Sequence, residues 1–401
     1  MNKNINALYQ IAQKQSRKII GLMSGTSLDG LDIALCEISG SGVNTEVKLL
    51  QFETIDYSEE IKTEIRKVFA KKTIDFQHLV LLNEWIGLLH AEMINESLKK
   101  WNIDSKEVDL IASHGQTVLH APKFLHQQEK FPNATLQIGD GDHIAVKTGI
   151  ITLSDFRQKH VAAGGEGAPL AVYGDYFLFG KEGENRIMLN IGGIANFTYL
   201  PSAINAEATF VTDTGPGNTL IDLFVKHYFL DKSYDKDAEI AKQGIVNQSL
   251  LEYLKDNSFF KQGFPKTIGQ ELFGFDYVNI ALNKSGNTTI TPQDLLATLT
   301  RFSAETIAEA IQFAAQNSNY KIEDFKIYIS GGGAKNPLLV AWLKELLPCS
   351  FFKSDDLGIN SDAKEAILFA ILANETVSGG DFNFGTNKIP SVTMGKISMP
   401  D

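Results

Sequence analysis

Cysteine, proline and long apolar runs are all scarce in this sequence. Its 401 residues include only two cysteines, Cys36 and Cys349, so we expect no secreted fold stapled by disulfides but a cytoplasmic protein with reduced thiols. No run of about 18 apolar residues occurs, and residues 1–18 are polar, so we expect neither a membrane span nor an export signal. With 43% hydrophobic residues and 11 prolines, the composition is typical of a folded globular chain.

Positive charge is scarce as well. The formal net charge is −11, and no block rich in lysine and arginine occurs. Nucleic acid and anionic membrane surfaces attract basic patches, so we expect neither as a partner. The excess of carboxylates favours solubility, and the length of 401 residues indicates about two domains.

Several well-known ligand-binding motifs are missing. The sequence contains no Gly-x-x-x-x-Gly-Lys-[Ser/Thr], no Gly-x-Gly-x-x-Gly that opens a helix, no His-Glu-x-x-His and no paired Cys-x-x-Cys. A P-loop, a dinucleotide-binding Rossmann site and a zinc site are therefore not supported. His114 and His120 fit no strong metal-ligand spacing, and we expect both to be polar loop or packing residues.

The most informative segment that is present runs from Gly21 to Asp32. Between two apolar runs it carries, in order, Gly25, Thr26, Ser27, Leu28, Asp29, Gly30 and Leu31. This pattern predicts strand, tight turn and strand, with glycine backbone and hydroxyl donors able to approach phosphate oxygens. Asp29 and Asp32 could hold Mg²⁺, directly or through water. The alternative is an ordinary hairpin that binds nothing.

The same order of elements occurs twice. A three-strand meander followed by alternating helices and strands begins at the first hairpin and again near Arg186, where Gly192 and Gly193 form the turn. Two more glycine turns follow predicted strands, at Asp213–Asn218 and Gly331–Gly333. We predict a duplicated α/β fold with an N-terminal lobe over 1–150, joined by the tail 376–401, and a C-terminal lobe over 151–375.

Polar residues also follow two apolar strands of the first half. The strand ending at Ser113 is predicted to be followed by a polar loop, His114–Thr117. Asp155 follows the apolar run 149–154 and precedes Arg157 and the turn-rich segment 162–169. A carboxylate at the C-terminal end of a strand is well placed for a general base. The alternative is a helix-capping aspartate in a surface ion pair.

Together these segments resemble the anhydro-N-acetylmuramic acid kinase family over about residues 18–375. The segments that carry the resemblance are 21–32, 113–117, 136–139, 155–157, 162–170, 189–196, 213–218 and 330–336. The resemblance implies a duplicated ribonuclease-H-like fold, shared with sugar kinases, actin and heat-shock ATPases, with two lobes around a central cleft. It also implies a cytoplasmic, homodimeric enzyme of cell-wall recycling that uses ATP and Mg²⁺ and acts on a small amino sugar.

The resemblance further implies roles for individual residues. Asp155 is the expected base that activates water, and Gly25 to Asp32 are expected to hold the ATP phosphates. The remaining expected nucleotide contacts are Gly192, Gly193, Asn196, Asp213, Gly215, Gly217, Asn218, Gly331, Gly332 and Gly333. Asp29 and Asp213 are the expected metal ligands, directly or through water, and the expected sugar contacts are Thr117, Gln137, Arg157 and Glu365.

Two features depart from the family pattern. Gln270 stands where many relatives carry an arginine, and we find no resemblance for residues 1–17 or for the tail after 376. Two other functions remain open: a regulatory actin-like ATP-binding protein without sugar chemistry, and a kinase for a different sugar. Asp155 and Arg157 favour an enzyme, because a nucleotide switch needs no base beside a sugar pocket.

Overall fold

The computed structural model describes residues 1–168, 170–269, 272–287, 289–359, 362–379, 384, 391 and 393–401. Gln270 lies outside the described residues, and so does Pro169, the last residue of the turn-rich segment 162–169. The chain divides into two compact units. The first unit comprises Met1–Phe179 and Asp362–Asp401, and the second comprises Gly180–Ser361.

Strands and helices alternate in both units. The strands are β1 (Ser16–Ser24), β2 (Gly30–Ser39), β3 (Glu46–Asp56), β4 (Leu110–Ala121), β5 (Ala134–Ile138), β6 (Thr152–Ser154), β7 (Asn185–Ile191), β8 (Ile194–Leu200), β9 (Phe210–Pro216), β10 (Phe325–Ser330), β11 (Ser350–Lys353) and β12 (Lys396–Ser398). The helices are α1 (Lys3–Gln13), α2 (Glu59–Arg66), α3 (Phe76–Trp101), α4 (Lys123–His126), α5 (Gly141–Thr148), α6 (Phe156–Ala162), α7 (Ala171–Phe179), α8 (Thr219–Tyr228), α9 (Gln248–Lys255), α10 (Phe275–Ser285), α11 (Pro292–Gln316), α12 (Pro337–Leu346) and α13 (Lys364–Ser378).

Each unit contains a sheet with the same strand order. In the first unit the order is β12-β6-β4-β1-β2-β3, with β5 paired to β4. In the second unit it is β11-β10-β7-β8-β9. In both, an antiparallel meander is extended by two parallel strands, β4 and β6 in the first and β10 and β11 in the second. The predicted duplicated ribonuclease-H-like fold is thereby confirmed.

Helices cover both faces of the first sheet, and this explains why its central strands are apolar throughout. On one face Ile20 and Leu22 join the core formed with Ile86 of α3. On the other face α13 approaches so closely that a Cβ at Gly21 would lie 1.9 Å from the carbonyl oxygen of Ala366. A strand that is buried on both faces has apolar residues at successive positions instead of at alternate ones, and β1 shows this pattern.

Capping residues set the ends of the long helices. Asp75 accepts a hydrogen bond from the backbone of His78 at the start of α3, and Asn102 ends that helix with a left-handed φ of 56°. Thr291 caps α11, which begins with Pro292 and ends at Gln316, the bounds that the sequence pattern predicts. The apolar side of α11 packs on the second sheet.

Three predicted boundaries differ in the structure. Residues 114–117 are not a loop, because β5 pairs with β4 across Thr117 and Gln137 and carries the strand on to Ala121. Residues 213–216 belong to β9 and are therefore not a turn. The predicted boundary at 150 falls inside the first unit, because β6 pairs with β4 and with the C-terminal β12.

Within the described residues, no helix combines the length and the hydrophobicity that a bilayer crossing requires.

Candidate active site

The β1–β2 hairpin presents an open tip. Thr26 and Ser27 are exposed at the turn, whereas Leu28 is buried with a left-handed φ of 61°. A Cβ built on Gly25 would come no closer than 3.7 Å to another atom, the hydroxyl oxygen of Ser27. At Gly30 it would lie only 2.2 Å from the carbonyl oxygen of Ile55. Gly25 thus leaves space for a ligand, whereas Gly30 is needed for packing against β3.

A buried polar network fixes both ends of this turn. The Ser24 hydroxyl donates to Gln116 Oε1 at 2.6 Å, and Gln116 Nε2 donates to the Gly25 carbonyl at 3.0 Å. Ser24 Oγ also lies 2.8 Å from the Tyr57 hydroxyl, which lies 2.7 Å from His90 Nε2. Burial lowers the pKa of His90 to about 4, so the imidazole is neutral at physiological pH. The four side chains hold the hairpin in place without contact to solvent.

We expect Gln116→Leu to weaken this support. The substitution removes the three hydrogen bonds of the Gln116 side chain, with Ser24 Oγ and with the carbonyls of Gly25 and Thr117, which should lower the free energy of unfolding by about 2 kcal/mol. It should also weaken binding of a non-hydrolysable ATP analogue, measured by calorimetry. Gln51→Leu, at an exposed position on β3, is the matched control and should change neither quantity. Unchanged nucleotide affinity in a folded Gln116→Leu protein would contradict a role for the network in holding a phosphate site.

Asp155 adopts an unusual backbone conformation at the end of β6. Its φ is 58° and its ψ is 36°, in the left-handed region, which costs a residue with a Cβ about 1 kcal/mol. Although it stands at the N-cap position of α6, its side chain accepts no capping hydrogen bond. Its Oδ2 instead lies 2.8 Å from Lys396 Nζ. The helix-capping alternative is thus wrong, while the ion pair that it included is present.

Asp155 lines a cavity of about 530 Å³ together with Gln137 and Lys396. The Gln137 side chain is only 8% exposed, and its amide nitrogen donates to Thr135 Oγ1 at 2.9 Å. The Thr135 hydroxyl proton goes to the Leu119 carbonyl, so Thr135 must accept from a nitrogen, which fixes the orientation of the amide. Gln137 Oε1 has no hydrogen-bond partner among the described residues. This oxygen is itself buried, so it is an unsatisfied acceptor of the kind that calls for an explanation.

Arg157 is held by two neighbours. Its Nε donates to His114 Nε2 at 2.8 Å, and its Nη1 donates to the Gly167 carbonyl at 2.7 Å. Burial lowers the pKa of Arg157 to about 10, so the guanidinium remains charged at neutral pH. His114 is buried, and its Nδ1 lies 2.8 Å from the Gly115 carbonyl. Burial and the adjacent Arg157 hold the pKa of His114 well below its usual range, so a neutral ring accepts from Arg157.

His114 is the positioning residue that the sequence pattern missed. The histidine belongs to β4 and is therefore not a loop residue, but its predicted packing role is confirmed, because its ring lies against Phe369 with centroids 4.7 Å apart. Glu365, in the first turn of α13, is solvent-accessible, yet desolvation by its neighbours raises its pKa and the Arg157 charge opposes this rise.

The predicted sugar contacts fall into two groups in the first unit. Thr117 and Gln137 face each other across β4 and β5, with Gln137 Nε2 3.3 Å from Thr117 Oγ1. Arg157 and Glu365 interact through their charges. Among the described residues that line the cavity, Gln137 is the one that belongs to this predicted set.

A group of metal-ligating side-chain types borders the same cavity through two of its members, Glu84 and Asp140. Among the described residues, Glu84, Asp140 and His143 form the one such group of three, and neither predicted ligand, Asp29 or Asp213, belongs to it. His143 Nδ1 lies 2.8 Å from both Asp140 Oδ1 and Glu84 Oε2, and its hydrogen bond to Asp140 raises the pKa of His143. Asp140 also caps α5. These contacts describe an ion-pair cluster, and we assign no metal to it.

In the second unit the glycine turns meet one another. The Gly217 and Asn218 amides donate to the carbonyls of Gly193 and Gly192, at 2.7 and 2.8 Å. A Cβ on Gly217 would lie 2.3 Å from the Gly192 carbonyl oxygen. The backbone of the β7–β8 turn therefore packs directly on the segment that opens α8.

The turn after β10 joins the same assembly. Gly331 has a φ of 82°, and a Cβ there would lie 2.7 Å from Asn190 Oδ1. A Cβ on Gly333 would lie 2.2 Å from the Ile191 side chain, whereas Gly332 has no contact closer than 3.7 Å, to Asn218 Nδ2. The structure thus brings together three of the predicted turns and leaves Gly332 with space beside it. Asn190 is a further polar residue here that the sequence pattern did not single out.

Three predicted nucleotide contacts lie on strands instead of turns. Asn196 of β8 and Asp213 of β9 are cross-strand partners, and Asp213 Oδ2 accepts from the Ile268 amide at 2.8 Å. Gly215 lies in β9, where a Cβ would come within 2.9 Å of the Phe260 ring. Close packing against Phe260 therefore explains why this position is a glycine. Burial raises the pKa of Asp213 to about 6.

The raised pKa of Asp213 predicts a pH-dependent stability difference. Because the folded-state pKa of about 6 exceeds the ordinary value of 3.8, the unfolded chain ionises first, and the free energy of unfolding falls as the pH rises from about 4 to about 6. Asparagine cannot ionise, so Asp213→Asn should be more stable than wild type by about 2 kcal/mol at neutral pH. The difference, measured by urea unfolding, should shrink toward pH 4. A constant difference across this range, or the same trend in the exposed control Asp231→Asn, would contradict the burial of an ionised Asp213.

Comparison with known proteins gives matches over nearly the whole chain. A sequence model of the family described as anhydro-N-acetylmuramic acid kinase matches residues 17–397. The anhydro-N-acetylmuramic acid kinase of Pseudoalteromonas atlantica is 54% identical over 100% of both chains, and that of Pseudoalteromonas translucida is 49% identical over 100% of both. The enzyme of that name from Caldanaerobacter subterraneus is 42% identical over 98% of this chain and 100% of its own.

These matches also correct one expectation. The termini are not without resemblance, because the family match extends to residue 397 and two relatives align over the full length. Likeness to solved structures is weaker. The activator of the 2-hydroxyisocaproyl-CoA dehydratase from Clostridium difficile aligns over 90% of this chain and 95% of its own, with a TM-score of 0.39 and 11% identity. The fold assignment thus rests on strand order, and by its full-length matches the chain belongs to the anhydro-N-acetylmuramic acid kinase family.

Proposed function

We propose that this chain is an ATP-dependent kinase of peptidoglycan recycling. It opens the 1,6-anhydro ring of anhydro-N-acetylmuramic acid by hydrolysis and phosphorylates O6, which gives N-acetylmuramic acid 6-phosphate and ADP. Membership of the family supports this activity, since relatives that carry the enzyme's name match the whole chain.

The placement of Asp155 is the observation that carries the proposal. Its carboxylate lines a cavity of about 530 Å³, a volume within the range of small-molecule sites. Its left-handed backbone is typical of residues that a surrounding structure holds for function. A regulatory ATP-binding protein would not require a strained carboxylate on such a cavity, and we therefore favour the enzyme.

The reaction needs one base and one water molecule. Asp155 accepts a proton from water as the water oxygen bonds to C1 of the sugar. The bond between C1 and the bridging O6 breaks, and O6 attacks the γ-phosphorus while the bond to the ADP oxygen breaks. The proton on Asp155 then returns to solvent. One water is consumed, one phosphoryl group is transferred, and no redox change occurs.

Polar groups near Asp155 orient the sugar. Gln137 Oε1 accepts from a hydroxyl or amide N–H of the substrate, because its own amide nitrogen is already committed to Thr135. Arg157, held by His114 and Gly167, supplies a fixed positive charge. Thr117, which contacts Gln137, and Glu365, which interacts with Arg157, complete the set. Fixed donors and acceptors of this kind reduce the entropy lost on reaching the reactive geometry.

Backbone amides bind the nucleotide phosphates. The open tip formed by Gly25, Thr26 and Ser27 offers amide and hydroxyl donors. In the second unit the joined turns at Gly192–Gly193, Gly217–Asn218 and Gly331–Gly333 provide a further backbone surface beside the start of α8.

Mg²⁺ is the metal that this chemistry requires, and carboxylate oxygens suit it. Asp29 is exposed at the hairpin, and Asp213 uses only Oδ2 for its bond to Ile268, which leaves Oδ1 as a ligand atom. Each is therefore a candidate ligand, directly or through water. When bound, the metal neutralises charge on the transferred phosphate.

We also propose a cytoplasmic homodimer. The low number of cysteines, with Cys36 buried and both thiols free, supports a reducing compartment. Sedimentation velocity at several protein concentrations tests the oligomeric state. A single species with the mass of one chain would contradict the dimer.

A coupled ADP-release assay tests the function. The anhydro sugar, a non-anhydro amino sugar and no sugar are compared at saturating ATP and Mg²⁺. We expect fast ADP release with the anhydro sugar alone. Equal rates with the non-anhydro sugar would indicate a different sugar kinase, and equal rates without sugar would indicate a regulatory ATPase.

A further inference from the structure

The C-terminal strand delivers a lysine to the proposed base. β12 pairs antiparallel with β6, and Lys396 is the residue opposite Ser154, directly before Asp155. Lys396 Nζ lies 2.8 Å from Asp155 Oδ2, and both residues line the same cavity. Lys396 and Asp155 are 241 residues apart in the sequence, so the contact depends on the pairing of β12 with β6.

Contacts on both sides of β12 hold the backbone that carries Lys396. Gly395 has a φ of 98°, and a Cβ there would lie 3.3 Å from the Ser154 carbonyl oxygen. The Thr376 hydroxyl of α13 donates to the Met394 carbonyl at 2.6 Å, just before the strand. After the strand, the Asn4 amide of α1 donates to the Asp401 carbonyl at 2.6 Å. The lysine is thus carried by a backbone that is fixed on both sides.

The ion pair has little value as a stabilising contact. The Lys396 side chain is 66% exposed, and exposed pairs contribute little to folding because water and salt screen them. Its effect on Asp155 is more specific. Asp155 makes no capping bond, and Lys396 provides the one hydrogen bond to its carboxylate that the described residues show.

We propose that Lys396 is a positioning residue for Asp155. Its ammonium holds Oδ2 and thereby fixes the rotation of the carboxylate, so that Oδ1 is presented to the water that attacks the sugar. The inference rests on the proposed function, because it concerns the orientation of the same base. Lys396 moves no proton and forms no bond in the reaction.

Three variants test this role. Lys396→Met removes the charge and the donor, and Lys396→Arg keeps both. Lys18→Met is the matched control, because Lys18 is a lysine of the same sheet that pairs with exposed Glu107 at 3.0 Å. For each protein we measure kcat and KM for the anhydro sugar, affinity for an ATP analogue, sugar affinity by calorimetry and the thermal midpoint of unfolding.

We expect Lys396→Met to lower kcat by about fivefold, with sugar and ATP affinities and the thermal midpoint unchanged. Lys396→Arg should restore kcat to within about twofold of wild type, and Lys18→Met should match wild type. An unchanged kcat in Lys396→Met would overturn the proposal, as would equal losses in the Met and Arg variants. A loss of sugar affinity at constant kcat would overturn it in favour of direct sugar contact.

The two levels of inference fail separately. If wild type releases no ADP in response to the anhydro sugar, the proposed function fails. If wild type is active and Lys396→Met equals it, only the positioning role of Lys396 fails.

Discussion

Asp155→Asn is expected to lower kcat by about a hundredfold or more while leaving ATP affinity unchanged. The amide cannot take a proton from water, and loss of a general base commonly costs at least this factor. The nucleotide should still bind, because the proposed phosphate contacts are the hairpin tip and the second-unit turns. Coupled ADP release gives kcat, and calorimetry with a non-hydrolysable analogue gives the ATP affinity.

The control for this variant is Asp231→Asn, at an exposed position of the second unit. It should retain wild-type turnover and affinity. If Asp155→Asn kept near wild-type turnover, Asp155 would have no part in the chemistry. If it lost ATP binding and thermal stability together, its effect would be structural and the assignment as base would have no support.

Gly25→Val is expected to weaken ATP binding by about tenfold or more without unfolding the protein. A Cβ at this position meets nothing closer than 3.7 Å, so the fold accepts it, but the added methyl groups occupy the space above the tip. Losing one or two hydrogen bonds to a charged phosphate accounts for a change of this size. Calorimetry gives the affinity, and urea unfolding gives the stability.

Gly30→Val is the matched variant at the other end of the same turn. Its Cβ would lie 2.2 Å from the Ile55 carbonyl oxygen, so the strands must separate and the free energy of unfolding should fall by about 2 kcal/mol or more. The two variants therefore distinguish a glycine needed for ligand access from one needed for packing. Normal ATP affinity in folded Gly25→Val would show that this turn does not bind phosphate.

Local patterns were sufficient to predict much of the fold. The β1–β2 hairpin, the β7–β8 hairpin at Gly192 and Gly193, and α11 all depend on short-range signals of hydrophobic periodicity, glycine turns and capping. The repeated strand order followed from the repetition of these signals. Each of these elements is determined mainly by neighbours in sequence.

The errors arose where a distant segment decides the structure. Residues 114–117 look like a polar loop, yet β5 supplies the partner that keeps them in β4. The domain boundary at 150 was displaced because β6 is completed by β12 from the end of the chain. Pairing of remote strands leaves no local trace in the sequence.

The site shows the same division. Although their roles stay predictions, Asp155 was predictable as a candidate because a carboxylate follows a buried strand, and Gly25 because it lies in a glycine-rich turn. His114, which orients Arg157, and Lys396, which contacts Asp155, were not, because their partners are remote in sequence. Gly30 and Gly215 were identified as turn glycines, but the structure requires them for close packing against Ile55 and Phe260.

The central claim is that one turnover both hydrolyses the anhydro bridge and transfers phosphate to O6. The most direct measurement is the mass of the sugar product after incubation with 1,6-anhydro-N-acetylmuramic acid, ATP and Mg²⁺. We predict a single product heavier than the substrate by one water and one phosphoryl group, formed in equal amount to ADP. A product that gains the phosphoryl group without water, or ADP release with unchanged sugar, would contradict the account.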